Sequence, residues 1–374
     1  MRKVVILLLL LPLLTGCWDR LSLRKLQFVN IAGLDWNEMN REVELNYVIT
    51  NIKSTGPGSG EPVSETVALK GPNVVEAISQ GEYIDQAPFL GISTGIYLMS
   101  ESFVKNDPIS QLNFLLHTPY SSINTPVVLF KGDLATFLKT IPKQNANFAD
   151  NFYSFNMALD KNSIMPSVTM MQLLESKEDE LANLAIPVMK QKDKEGGTEL
   201  DGALLFSHGK NTDVELNKEQ LRMTMLLNGK EKGRQRYSGK LEKVSEEKNA
   251  YRSYSFSLRK GTSTVRVIPQ SKRPPKVNFN VNIDINVFDL GKAYHQLDAK
   301  YVNKIEKELG NQLDKKALET IQTMQKANCD LIRIGERIKA YHPKIWQSMD
   351  WKADYPHMNI EPHFKVHILN VDRM

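Results

Sequence analysis

The sharpest pattern in the chain lies toward its end. Val277, Phe279, Val281, Ile283, Ile285 and Val287 alternate with residues that are all Asn or Asp. A period of two puts one face of a strand in a core and the other in solvent, as antiparallel sheets do. Leu297, Tyr301, Ile305, Leu309, Leu313, Ala317, Ile321 and Met324 then recur at helical spacing, with Lys, Glu, Asp and Gln elsewhere. That stripe predicts a long helix able to cover the apolar face of the sheet. Asp330 is placed to cap a second helix, Leu331 to Ala340, which Tyr341-His342-Pro343 ends. Trp346 and Trp351 fall in a turn-rich section, and Ile360, Phe364, Val366 and Ile368 return to period two as a final strand. Residues 275–374 therefore read as a sheet with a long helix across it.

Upstream, Phe28 to Gly33 and Glu42 to Ile52 flank a turn at Asp35-Trp36-Asn37 and predict a hairpin. Lys53 to Pro62 holds Gly56-Pro57-Gly58-Ser59-Gly60 and reads as a flexible loop, since no Gly-Lys-Ser/Thr ends it as a phosphate cradle would require. Strands are expected at Val63–Leu69, Ile92–Met99, Val127–Phe130 and Ala182–Met189. Helices are expected at Asn73–Gln80, Ile109–Leu116 after Asp107-Pro108, Asp133–Thr140, Asn151–Leu159, and Val168–Leu174 capped by Ser167. Lys190 to Glu199, with Gly196-Gly197, suggests a boundary. A smaller unit over 200–270 follows: a strand at Gly202–Phe206, a turn at His208-Gly209-Lys210, a helix at Lys218–Leu227 and an alternating stretch at Tyr251–Leu258. Pro269 to Lys276, with three prolines and three basic residues, is a linker or a turn between strands, the alternative being a patch that touches lipid or wall polymer. The fold class is α+β with mixed or antiparallel sheets, in three units: 26–190, 200–270 and 275–374.

The first residues differ in kind. Arg2 and Lys3 precede an apolar run from Val4 to Leu14 that would reach ~17 Å as a helix, short of the ~30 Å a bilayer core demands. Leu14-Thr15-Gly16-Cys17 ends it, which makes residues 1–16 a signal peptide. The tetrapeptide looks like a bacterial lipobox, in which the Cys17 thiol takes a diacylglycerol and becomes the first mature residue. Residues 17–25 are then a lipidated lead-in. Two acyl chains anchor durably, where one would be marginal.

Composition narrows the picture further. Hydrophobic residues make up 41% and charged residues 24%, ordinary for a packed protein. The net charge of +5 drops by two without Arg2 and Lys3, too mild to argue for nucleic acid. Of the two cysteines, Cys329 is left without a partner if Cys17 carries lipid. There is no Gly-x-Ser-x-Gly elbow and no His-Glu-x-x-His. His363 and His367 share a predicted strand, where four residues separate them by ~13 Å, too far to share a zinc. Cys329 follows Asn328 near the end of a helix and precedes Asp330, where neighbouring negative charge raises a thiol's pKa. Glu178-Asp179-Glu180 and Glu246-Glu247 read as solvated surface. Tyr153, Phe155, Trp346 and Trp351 are read as core or interface filling before pocket lining. No catalytic, metal or cofactor-binding residue is assigned; the one site residue is Cys17.

Three stretches together carry a resemblance: Cys17-Trp18-Asp19-Arg20, Gly202-Ala203-Leu204-Leu205-Phe206, and Ile334-Gly335-Glu336 followed by Tyr341-His342-Pro343-Lys344-Ile345-Trp346. They resemble the Ger(x)C family, the C-subunit lipoproteins of nutrient germinant receptors in endospore-forming bacteria. Leu116-His117-Thr118-Pro119-Tyr120 departs from an arginine-containing segment common in that family. The resemblance implies a non-enzymatic three-domain protein, anchored through its N-terminal diacylglycerol to the outer face of the spore's inner membrane. It would act there with integral membrane receptor subunits. The alternative is a membrane-tethered lipoprotein that captures a small solute, which would need a cleft with converging polar groups. A wall-active enzyme ranks below both.

Overall fold

The computed structural model describes residues 27–56, 59–83, 89–90, 94–118, 121–192, 197–229, 236–240, 253–270, 274–289 and 299–371. The leader, the lipobox and Cys17 lie outside the described residues, as do Glu246-Glu247 and Leu297.

The chain opens with β1 (Gln27–Asn37), β2 (Glu42–Gly56) and β3 (Ser59–Gly71), then α1 (Val74–Gln80) and β4 (Phe89–Leu90). Next come β5 (Ile96–Ser100), α2 (Glu101–Lys105), α3 (Pro108–Leu112), β6 (Val127–Lys131), α4 (Leu134–Gln144), α5 (Phe148–Lys161) and α6 (Met170–Glu175). β7 (Asn183–Gln191), β8 (Thr198–Ser207) and β9 (Lys210–Asn217) form a meander that leads into α7 (Lys218–Leu227). The remainder holds β10 (Arg236–Lys240), β11 (Ser253–Ile268), β12 (Lys276–Asp289), α8 (Ala299–Lys326), α9 (Ile334–Tyr341), α10 (Pro343–Gln347), α11 (Trp351–Asp354) and β13 (Ile360–Val371).

These strands make two sheets. The larger has nine strands in the order β3-β2-β1-β5-β6-β7-β8-β9, with β4 beside β1. Its centre, β1-β5-β6-β7, is parallel, and antiparallel hairpins flank it on both sides. Helices cover both faces, as a parallel centre requires. On one face Leu134, Phe137 and Leu138 of α4 and Phe148 and Phe152 of α5 pack on Ile31, Val48, Ile96 and Val128. On the other, Ala77 of α1, Phe103 of α2, Ile109 of α3 and Leu173 of α6 meet Tyr97, Met99, Val127 and Leu129.

The smaller sheet, β10-β11-β12-β13, is antiparallel except between β12 and β13. α8 is the crossover that makes those two parallel, and the stripe Ile305, Leu309, Leu313, Ala317, Ile321 and Met324 is buried against the sheet as its spacing predicts. β13 is an edge strand that α8 closes. Phe364 N–H donates to Asp314 Oδ1 at 2.5 Å and Ile368 N–H to Glu306 Oε1 at 2.7 Å. Pro362 has no N–H to leave unpaired. Gly310 lets the helix backbone close on this edge, since a Cβ there would sit 2.9 Å from the Phe364 carbonyl oxygen.

Several expectations are corrected. The Gly-rich stretch at 53–62 is not a loop: β2 runs to Gly56 and β3 starts at Ser59, because ladder pairing such as Ile52–Pro62 extends almost to the turn. α6 starts at Met170, not Val168, because Thr169 and Gln172 form a reciprocal capping box while Val168 accepts from Val127 N–H. α9 starts at Ile334, three residues later than expected, with Arg333 in a left-handed conformation before it. Residues 200–270 are shared out: β8 and β9 complete the large sheet, while β10 and β11 belong to the small one. Two sheets stand among the described residues.

Candidate functional site

The two sheets meet where α8 ends, and the two described stretches that carry the family resemblance, 202–206 and 334–346, reach it; Cys17-Trp18-Asp19-Arg20 lies outside the described residues. α8 closes with a Schellman turn. Cys329 N–H donates to Met324 O at 2.9 Å and Asn328 N–H to Gln325 O at 3.0 Å, with Asn328 at φ 49°. Asn tolerates that left-handed position better than most residues.

The turn delivers Cys329 and Asp330 into the interior. The Cys329 Sγ–H points at the carbonyl oxygens of Phe206, at 3.3 Å, and Leu184, at 3.9 Å, on β8 and β7. Ser207 Oγ donates to Asn328 O at 2.6 Å, and Asn228 Nδ2, at the end of α7, to Leu331 O at 3.0 Å. Burial pushes the Cys329 thiol far up, and the Asp330 charge adds to this. Such a sulfur stays protonated and is a poor nucleophile.

Asp330 is 4% exposed. Its Oδ2 accepts from Gly335 N–H at 2.8 Å, while Oδ1 finds no donor among the described residues. Burial pushes this carboxyl up to about 7, against the pull of the backbone N–H groups of Gly335, Ile334 and Ile332. It therefore caps α9 as expected in kind, but from outside the N-cap position. Tyr355 is fully buried and its hydroxyl donates to Cys329 O at 3.4 Å.

Aromatic rings wall the junction. Trp346 and Trp351 lie 5.6 Å apart between ring centroids, Trp351 and Tyr355 5.0 Å. Gly335 sits beneath them: a Cβ there would come within 2.8 Å of both the Trp351 ring and the Leu181 side chain. Thus Phe206 of one resemblance stretch and Gly335 of another are joined through Cys329-Asp330. Sequence reasoning singled out Cys329 and Asp330, but missed Ser207 and Tyr355, whose partners lie far away in the chain.

A second feature is a cleft of ≈ 640 Å³ at the carboxyl ends of β6 and β7, floored by Phe130, Phe137 and Ile141. Its lysines are engaged. Lys190 lies 2.7 Å from Asp201 and 3.4 Å from Glu199, and Lys131 lies 3.1 Å from Glu215 and 3.4 Å from Asp201. The Lys190 hydrogen bond holds the Asp201 carboxyl below the usual range. The remaining candidates are scattered. His363 and His367 project from the exposed side of β13, His367 Nδ1 3.4 Å from Glu306. Tyr153 is exposed on α5, and Phe155 packs on the core. Glu180 pairs with Lys339 at 3.3 Å. The Asn/Asp face of β12 is graded: Asn282 is exposed while Asn286 is buried. Among the described residues no His, Cys, Asp and Glu side chains gather as a metal cluster, and no helix is long and apolar enough to cross a membrane.

Comparison with known proteins places both parts of the chain. Residues 19–191 match the model "Spore germination protein N-terminal domain", and residues 201–372 match "Spore germination B3/ GerAC like, C-terminal". The Spore germination protein GerQC of Bacillus cereus is 21% identical over 363 residues, 96% of this chain and 95% of its own length. The Spore germination protein KC of Bacillus subtilis (strain 168) is 21% identical over 97% of this chain and 94% of its own. The crystal structure of the GerBC protein superposes with a TM-score of 0.57 at 14% identity, covering 91% of this chain and 97% of that one.

Proposed function

We propose, from the premise that the chain belongs to the Ger(x)C family of spore germination proteins, that it is the non-enzymatic lipoprotein subunit of a nutrient germinant receptor. The observation that carries this reading is the end-to-end correspondence with proteins named for spore germination. In this reading Cys17 is the acylated first residue of the mature chain. Each lipid CH₂ buried contributes ~0.8 kcal/mol, so two chains fix the folded part beside membrane-embedded partner subunits on the outer face of the spore's inner membrane. The protein then serves as a companion that those subunits need in order to respond to nutrient.

Support comes from the chemistry of the interior. The buried thiol is held protonated, and the charged lysines of the large cleft are neutralised by carboxylates. These are groups arranged to hold a structure together.

Co-purification tests the proposal. Lipidated protein extracted from spores should bring the membrane-embedded subunits with it, and Cys17→Ala should leave a soluble, mislocalised product with a weak nutrient response. Normal nutrient-triggered germination in a strain lacking this chain and its paralogues would overturn it.

A further inference from the structure

α8 sorts its charges by side. Lys300, Lys304, Lys307, Lys315 and Lys326 recur at helical spacing opposite the buried stripe, and all five are exposed. The positions between them on that side, Asn311, Leu318 and Gln322, are exposed and uncharged. The four acids of the helix stand elsewhere. Glu306 and Asp314 turn to the N–H groups of β13. Glu308 and Glu319 line a flanking groove together with Lys240 of β10.

The result is a ridge of one sign, ~39 Å long from Lys300 to Lys326 at ~1.5 Å per residue. Like charges three and four residues apart weaken a helix, so the arrangement does nothing for α8 itself. A helix face that only meets water mixes its signs. α5 does so with Asp150 and Lys161, and α9 with Glu336 and Lys339, all exposed.

We propose that this ridge rests on a surface of anionic lipid headgroups, with α8 lying parallel to the bilayer. Five ammonium groups in a straight line match an array of phosphates that is itself extended and flat; a compact anion would meet only one or two of them. Each lysine reaches such a surface on a flexible four-carbon stem. The choice of lipid as the anion rests on the anchor reading above, which already sets the folded part beside a membrane. A polybasic surface is the second signal that commonly works with a lipid anchor. In this placement α8 lies between the bilayer and the small sheet, so the tether limits distance while the ridge fixes orientation.

The test uses the full mature chain carrying Cys17→Ala, so that its outcome is independent of lipidation; mass spectrometry of the native N-terminus decides that question separately. Sedimentation with vesicles of phosphatidylcholine and phosphatidylglycerol should show binding that fades as salt is raised, and vesicles of phosphatidylcholine alone should show none. Lys300→Gln, Lys307→Gln and Lys315→Gln together should weaken binding by about a hundredfold, about fivefold for each lysine. Gln nearly matches Lys in helix propensity, so the unfolding midpoint should stay in place. The charge-matched control is Lys260→Gln, Arg266→Gln and Lys365→Gln, which removes three exposed cations from the face of the small sheet turned away from α8. It should leave binding unchanged. No binding to the anionic vesicles at low salt, equal binding to neutral ones, or equal loss in both triple variants would overturn the proposal. Retention on a soluble polyphosphate without vesicle binding would give the ridge to another partner and overturn it as well.

Discussion

Asp330 is an acid enclosed with one oxygen satisfied and the other unanswered, and that arrangement dictates how it titrates. Burial pushes its carboxyl up to about 7, and the charge of Glu336 acts in the same direction. An unfolded Asp titrates near ~3.9, so the folded chain holds an extra proton between those values. Its contribution to stability is fully present below pH ~4, is lost as pH rises toward ~7, and amounts to about 4 kcal/mol over the interval. Denaturant midpoints measured from pH 4 to 8 should fall for the native chain. Asp330→Asn should remove one proton's worth of that slope; an unchanged slope would show that Asp330 titrates normally. Gly335 gives a second expectation at this scale. A methyl group there meets the Trp351 ring and Leu181 at 2.8 Å, so Gly335→Ala should cost about 1–3 kcal/mol and disturb tryptophan fluorescence.

At the scale of elements, α8 does two jobs with two sets of residues. Its apolar stripe covers the small sheet, and Asp314 and Glu306 answer the outward N–H groups of β13. Asp314→Ala removes the acceptor of the Phe364 N–H and should cost about 1–3 kcal/mol, read as a lowered unfolding midpoint with faster exchange at Phe364. The stripe was legible in the sequence, because one helix face and one strand face each follow a single period. So was the cap Asp107, which accepts from Ser110 N–H; Asn73 and Asp133, expected as the first residues of their helices, stand instead at the N-caps and accept from Glu76 and Thr136 N–H. β9 was not legible. It has an exposed side, and Lys210-Asn211-Thr212-Asp213 offers no apolar alternation to read. β10 is five residues long with a Gly at its fourth position, too short for a period to show. The stretch 53–62 misled because Gly and Pro signal a turn but do not say how far the strands run before it.

At the scale of the whole molecule, the break between the two matched family models falls between residues 191 and 201, yet the sheet does not break there. β7 and β8 are hydrogen-bonded from Asn183–Ser207 to Gln191–Thr198. Nor does the core. One cluster of buried side chains runs from α4 and α5 through the large sheet and α7 into the small sheet and α8. The junction adds polar ties across it, Cys329 to Phe206 and Ser207 to Asn328. That convergence lay beyond the sequence reading, because Phe206 and Cys329 are distant in the chain and no local period links them. A chain of this length can unfold in stages if its parts are separable, so the continuity has a measurable consequence. Leu138 in α4 is 0% exposed and Leu313 in α8 is 3% exposed, and truncating either to Ala should cost about 2–5 kcal/mol. With one shared core, calorimetry should show a single transition that both variants lower. Were the halves independent, there would be two transitions, with Leu138→Ala moving one and Leu313→Ala the other. The single transition is expected, because one contiguous cluster of buried side chains joins the two sheets through α7 and α8.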